Sequence, residues 1–161
     1  MKYFLLAPVF YFLFSSCSRS DTPTPKAQVY VYADIDGKPF RYEGEDNYVA
    51  ENRHWGYRPI FYFGCDINEY EGFALGTTGS LSGKPETLDV LGALYSNSRF
   101  DTYASGFLAD DEERPFKGKC TITRVTNDFV EGTFYVDVYS EYGKGSKTLK
   151  VTNGRFRVKY N

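Results

Sequence analysis

The chain reads as an all-β protein, an antiparallel β-sandwich or partly open barrel of eight to ten strands with at most one short helix. Three observations predict this. Aromatic residues make up 19% of the 161 residues, and strands favour them. Apolar and polar residues alternate with a period of two over long stretches, above all from Phe129 to Ser140. Turn dipeptides such as Asp36-Gly37 and Asn153-Gly154 punctuate the apolar runs.

Val29 to Ala33 is the first strand, and Asp36-Gly37 turns it into a second from Lys38 to Glu43. Pro39 marks an edge, because proline cannot donate to a ladder. Gly44 to Gly56 is polar and mixed, and is expected as a loop or an irregular turn of helix. Arg58 to Gly64 is a third strand around Ile60-Phe61-Tyr62-Phe63, and Glu71 to Leu75 a weaker one before Gly76-Thr77-Thr78-Gly79. Leu81 to Pro85 fits a short strand. Leu88 to Tyr95 fits either a helical face, through Leu88, Leu91, Leu94 and Tyr95, or a strand.

Arg99 to Leu108 is expected as a strand, followed by an acidic loop through Asp110-Asp111-Glu112-Glu113 to Pro115. Lys117 to Val125 is a strand with Cys120, Ile122 and Arg124 on one face. Asn127-Asp128 turns the chain into Phe129 to Ser140. There Gly132, Phe134, Val136 and Val138 share one face, and Tyr135, Asp137 and Tyr139 the other. Lys147 to Thr152 and Arg155 to Tyr160 are expected as a hairpin about Asn153-Gly154, completing a four-stranded meander with one dry and one wet face.

The N-terminus is of another kind. Met1-Lys2 is followed by an apolar run from Tyr3 to Phe14, broken by Pro8, and then by Ser15-Ser16-Cys17. The run is shorter than the roughly 20 residues of a spanning helix, and it has the layout of an export signal. It resembles the signal and lipobox of bacterial lipoproteins, with Phe14 where leucine is usual. The resemblance implies cleavage before Cys17 and a thioether to a diacylglyceryl group, with a further acyl chain such as palmitate. Two or more acyl chains anchor stably where one does not. Residues 1–16 are then a signal peptide, 17–26 a lipidated tether stiffened by Thr22-Pro23 and Thr24-Pro25, and 27–161 a single β-rich domain. Ser18 after the cysteine fits an outer-membrane lipoprotein, with the periplasmic and outward faces both open.

The runs Gly118 to Thr123, Val130 to Phe134 and Val151 to Phe156 resemble a pattern in small β-rich lipoproteins of the Bacteroidota, grouped in families of unknown function. Those proteins carry a terminal Thr-Asn-Gly-x-Phe hairpin, matched here by Thr152, Asn153, Gly154 and Phe156. The resemblance implies a lineage and an envelope location, and supplies no catalytic residues.

The remaining chemistry is sparse. With 19 basic and 21 acidic side chains, the net charge of −2 argues against a nucleic-acid partner. Lys147, Lys150, Arg155, Arg157 and Lys159 read as solvated surface, as does the acidic stretch. Cys65 and Cys120 would close a loop of about 55 residues as a disulfide, worth roughly 4 kcal/mol, or else serve as two separate buried thiols. Their spacing is not that of a zinc site. No phosphate-binding glycine loop and no Gly-x-Ser-x-Gly occurs. His54 is the single histidine, in Asn52-Arg53-His54-Trp55-Gly56, and reads as a loop residue beside a packed tryptophan. Asp66, Asn68, Glu69 and Glu71 have oxygen ligands at short spacing but not a full calcium loop, and read as an acidic turn.

The expectation is therefore a non-enzymatic lipoprotein without metal or cofactor. Its partners are the lipid bilayer, through its acyl chains, and a glycan or protein. Trp55, Tyr135, Tyr139 and Tyr142 are the candidate binding surface, with Tyr30 and Tyr32 extending a tyrosine stripe. A glycan- or peptide-binding module and an envelope assembly partner are the two alternatives.

Overall fold

Inward residues alternate with outward ones along the outer strands of the computed structural model, whereas Gly72–Thr77 and Thr102–Gly106, in the middle of its sheet, are buried nearly throughout. The structure describes residues 29–44, 48–99, 101–106, 117–140 and 145–160, with Trp55 by its backbone alone. Ten strands form one antiparallel sheet: β1 (Tyr30–Ile35), β2 (Lys38–Glu43), β3 (Tyr48–Trp55), β4 (Arg58–Asp66), β5 (Gly72–Thr77), β6 (Glu86–Ser96), β7 (Thr102–Gly106), β8 (Gly118–Val125), β9 (Phe129–Ser140) and β10 (Thr148–Lys159). No helix occurs among the described residues.

The strand order is β2-β1-β10-β9-β7-β6-β5-β4-β3, with β8 also between β6 and β9. The registers explain the tenth strand. Gly106 of β7 faces Gly92 of β6, and Lys119 of β8 faces Asp89 of the same strand. On β9, Ala104 faces Tyr139 and Gly118 faces Val136. Strands β7 and β8 therefore lie end to end in one sheet position. The first and last strands of the domain meet, since Tyr30 pairs with Arg157 and Val31 with Phe156.

This sheet curls until its two halves face each other. Phe63 of β4 stacks on Phe156 of β10 with centroids 4.5 Å apart, and Phe73 of β5 stacks on Phe134 of β9 at 5.1 Å. Phe61, Phe63 and Phe156 are fully buried, as are Val29, Val31, Val90, Val130, Val136 and Val138. Burying each such ring is worth ~3 kcal/mol. Strands β2 and β3 form the two edges and, among the described residues, do not pair with each other, so the barrel is partly open, one of the two architectures expected.

Space for the rings comes from glycine. Phe156 lies across from Gly132, and Phe134 across from Gly154. A Cβ on Gly132 would stand 2.7 Å from Phe156 Cζ, and one on Gly154 would stand 2.6 Å from Phe134 Cγ. Each ring covers the bare backbone of the neighbouring strand.

Asp36 and Gly37 both have positive φ, 50° and 77°, as the β1–β2 hairpin needs. Pro39 is on an edge strand. Other expectations are corrected. Gly44 to Gly56 is not a loop, because residues 48–55 form β3 along the edge of the sheet. Leu81 to Pro85 is not a strand, and Leu88 to Tyr95 belongs to β6 rather than to a helix.

Asn153-Gly154 does not turn the chain: residues 148–159 are one strand, and Asn153 (φ 53°) sits in a bulge. Thr152 and Asn153 there oppose the single residue Tyr135, since Val151 faces Val136 and Gly154 faces Phe134. Asn153 Nδ2 donates to Asp34 Oδ2 at 2.8 Å. The extra residue restores parity. Leu149 and Val151 point inward before it, and Gly154, Phe156 and Val158 after it. The expected meander is therefore three sheet positions, with β1 as its next neighbour. A second register shift, between Ile122 and Arg124, turns Arg124 outward from the face of Cys120 and Ile122. The acidic stretch lies outside the described residues.

Candidate functional site: an aromatic cleft at one end of the barrel

At the end of the barrel formed by the β1–β2 turn, residues 67–71, residues 97–99 and Asp101, the core opens into a cleft of about 360 Å³. Its floor is aromatic. Tyr95 of β6 and Tyr103 of β7 are cross-strand partners with ring centroids 6.2 Å apart. Phe40 of β2 and Tyr95 stand nearly perpendicular, with centroids 6.1 Å apart at 88°. Tyr103 is 4% exposed, whereas Tyr95 is half-buried and lines the opening. Ile35 and Leu149 close the apolar wall.

The rim is polar and carries both signs. The carboxylates of Asp36, Glu71 and Asp101 stand with the cations of Lys38, Arg99 and Lys147. Asn97 organises one side. Its Oδ1 accepts from the backbone N–H groups of Arg99 (2.9 Å) and Asp101 (3.1 Å), while its Nδ2 donates to Asp101 Oδ2 (3.1 Å). Asn68 organises another, with Oδ1 accepting from Tyr70 N (2.8 Å) and Glu71 N (3.0 Å). The oxygen of Asn68 thus holds the turn that brings Glu71 to the rim. Among the described residues, no group of three His, Cys, Asp or Glu side chains converges as a metal site.

Lys147 Nζ donates to Tyr103 Oη at 3.1 Å and lies 5.4 Å from the ring centroid. That hydrogen bond, with the nearby negative charge, raises the lysine pKa and keeps it cationic. Burial raises the Tyr95 pKa, helped by Glu71 and Tyr103, so this phenol is neutral and able to donate as well as accept. An apolar ring face, a neutral hydroxyl and fixed acceptors suit a ligand with one apolar side and several hydroxyls or amides.

The expected tyrosine surface is not gathered into one site. Tyr135 is 52% exposed on the outer face of β9, in a shallow hollow of about 310 Å³ with Lys119, Thr133, Asn153 and Arg155. Tyr139 is half-buried on the same strand, paired with Ala104 and Thr148. The backbone of Trp55 ends β3, five sheet positions from β9, and Tyr142 lies outside the described residues, as does Cys17. Tyr30 and Tyr32 stack at 4.8 Å on β1, where Tyr32 Oη donates to the Glu43 carboxylate and its pKa rises to about 12. His54 is exposed on β3, opposite Pro59.

Cys65 on β4 and Cys120 on β8 are both buried free thiols, so the second reading of the pair replaces the disulfide. Burial pushes both thiols up to about 12, which keeps them protonated and unreactive.

The cleft residues were not singled out from the sequence. Tyr95 and Tyr103 flank one short connection, which is the only local signal. Their meeting with Phe40 depends on the joining of β1 to β10. No family model, no curated protein and no solved structure matches this chain.

Proposed function

We propose that the protein is an exported cell-envelope lipoprotein, anchored in the outer membrane through Cys17, whose β domain binds a glycan in the aromatic cleft without catalysing a reaction. The observation that carries this reading is the placement of the cleft relative to Val29. Gly44 N donates to Val29 O and Tyr160 N to Asp128 O, so these residues share one end of the barrel. Ile35 and Asp36 lie at the other, ~17 Å along β1, beside the cleft. A tether of residues 17–26 entering ahead of Val29 leaves the opening at the end remote from the bilayer. A sugar ring then stacks its C–H face on Tyr95, and its hydroxyls donate to Asp101 and Glu71.

The test has two parts. Intact mass of the membrane fraction, with protease added to whole cells, reads the lipid on Cys17 and the side on which the domain lies. An unmodified Cys17 refutes the anchor. Binding of the full chain to an array of simple glycans, repeated with Tyr95→Ala, reads the cleft. Loss of the stacking face is expected to weaken binding about tenfold. Binding unchanged in Tyr95→Ala refutes the cleft.

A further inference from the structure

The two edges of this sheet are not alike. Edge strand β2 begins with Lys38 and Pro39, a charge and a residue without an N–H, which both discourage strand addition. Edge strand β3 has neither proline nor lysine over its eight residues, Tyr-Val-Ala-Glu-Asn-Arg-His-Trp; its two charges, Glu51 and Arg53, neutralise each other, and among the described residues it pairs only with β4. Its outward face carries Val49, 45% exposed, then Glu51 and Arg53. The side chains of Glu51 and Arg53 are 40% and 44% exposed and form an ion pair, and the guanidinium lies 4.4 Å from the centroid of the Tyr62 ring.

We infer that β3 is a self-association edge, and that its occupant is β3 of a second copy, added antiparallel about a two-fold axis at Asn52. The choice of a second copy follows from charge. In an antiparallel pair, opposed residues point to the same side of the sheet, so the outer faces of both copies align only in registers that keep parity. Centring on Asn52 sets Glu51 against the second copy's Arg53, and Arg53 against its Glu51. Moving the centre by one residue either way sets Glu51 against Glu51 or Arg53 against Arg53. The strand is thus self-complementary in one register and repulsive in the two adjacent ones. The existing Glu51–Arg53 pair need not break: the four side chains form a square in which every neighbour has the opposite sign. The result is one continuous sheet running from β4 through both β3 strands to the second β4, an isologous contact.

The experiment is sedimentation velocity of the full chain in detergent over a concentration series, with Glu51→Arg, Arg53→Glu and the double exchange. Both side chains are solvent-exposed, and an unchanged circular dichroism spectrum verifies the fold of each variant. The wild-type chain is expected to form a dimer that salt weakens. Each single reversal is expected to weaken it at least about tenfold, since two attractive cross-strand pairs become repulsive. The double exchange is expected to restore it. A monomer at every concentration overturns the inference, and so does a dimer indifferent to both single reversals.

Discussion

Replacing Gly132 by alanine tests the central packing device of the barrel. The added methyl would lie 2.7 Å from Cζ and 2.8 Å from Cε1 of Phe156, and would also strike the backbone oxygen of Thr121. The ring cannot retreat freely, because Phe63 stacks on its other side at 4.5 Å. The Thr121 oxygen moves only if β8 moves. Overpacking a core costs ~1–3 kcal/mol, and contact with backbone argues for the upper end, about 3 kcal/mol. For a domain of this size that is roughly 12 °C in Tm. With an m-value of ~2 kcal/mol/M, it is about 1.5 M in the urea midpoint. The assay is urea unfolding followed by circular dichroism. A double-mutant cycle with Phe156→Ala adds the cause: removing the ring should recover at least ~1 kcal/mol of the Gly132→Ala loss, leaving the Thr121 part. A Gly132→Ala chain within ~0.5 kcal/mol of wild type refutes the account, and so does an additive cycle.

The buried thiols give a pH dependence. Their folded pKa values, about 12, lie above the ordinary 9.0, so their stabilisation is complete below pH 9 and is lost as pH rises toward 12. Between pH 9 and 10 each thiol should cost roughly 1 kcal/mol, seen as a falling urea midpoint that flattens in Cys65→Ala and Cys120→Ala. The same burial predicts that neither thiol is labelled by an alkylating reagent until the chain unfolds. At the β10 bulge, Asn153→Gly should stay within ~0.5 kcal/mol of wild type, whereas Asn153→Ala should lose ~1–2 kcal/mol in the same unfolding assay. Alanine keeps neither the ease of positive φ nor the bond to Asp34.

What was legible in the sequence was local. Asp36-Gly37 specifies its turn by conformation alone, and the period of two along β9 specifies which face is dry. The parity change between Leu149-Val151 and Phe156-Val158 was also legible, but a turn and a bulge account for it equally well, and Asn-Gly suits both. The bulge wins because Gly154 must lie under Phe134. Strand β3 was hidden because an edge strand with an exposed outer face needs little beyond Tyr48 and Ala50 facing inward. The cleft was hidden for a different reason. Phe40, Tyr95 and Tyr103 come from strands that approach only when the sheet curls, and no spacing along the chain encodes that curl.

The end-to-end placement of β7 and β8 has a practical side. Three rungs of β6, from Gly92 to Asp89, correspond to thirteen residues of chain, from Gly106 to Lys119. The ladder on β6 thus resumes three rungs from where it stopped, so the register of each strand is set by β6 and β9. Closure entropy grows only slowly with the length of a connection. Sequence spliced between Gly106 and Lys117 therefore leaves the barrel registers as they are, which makes this the natural port for grafting a reporter or an epitope onto the domain.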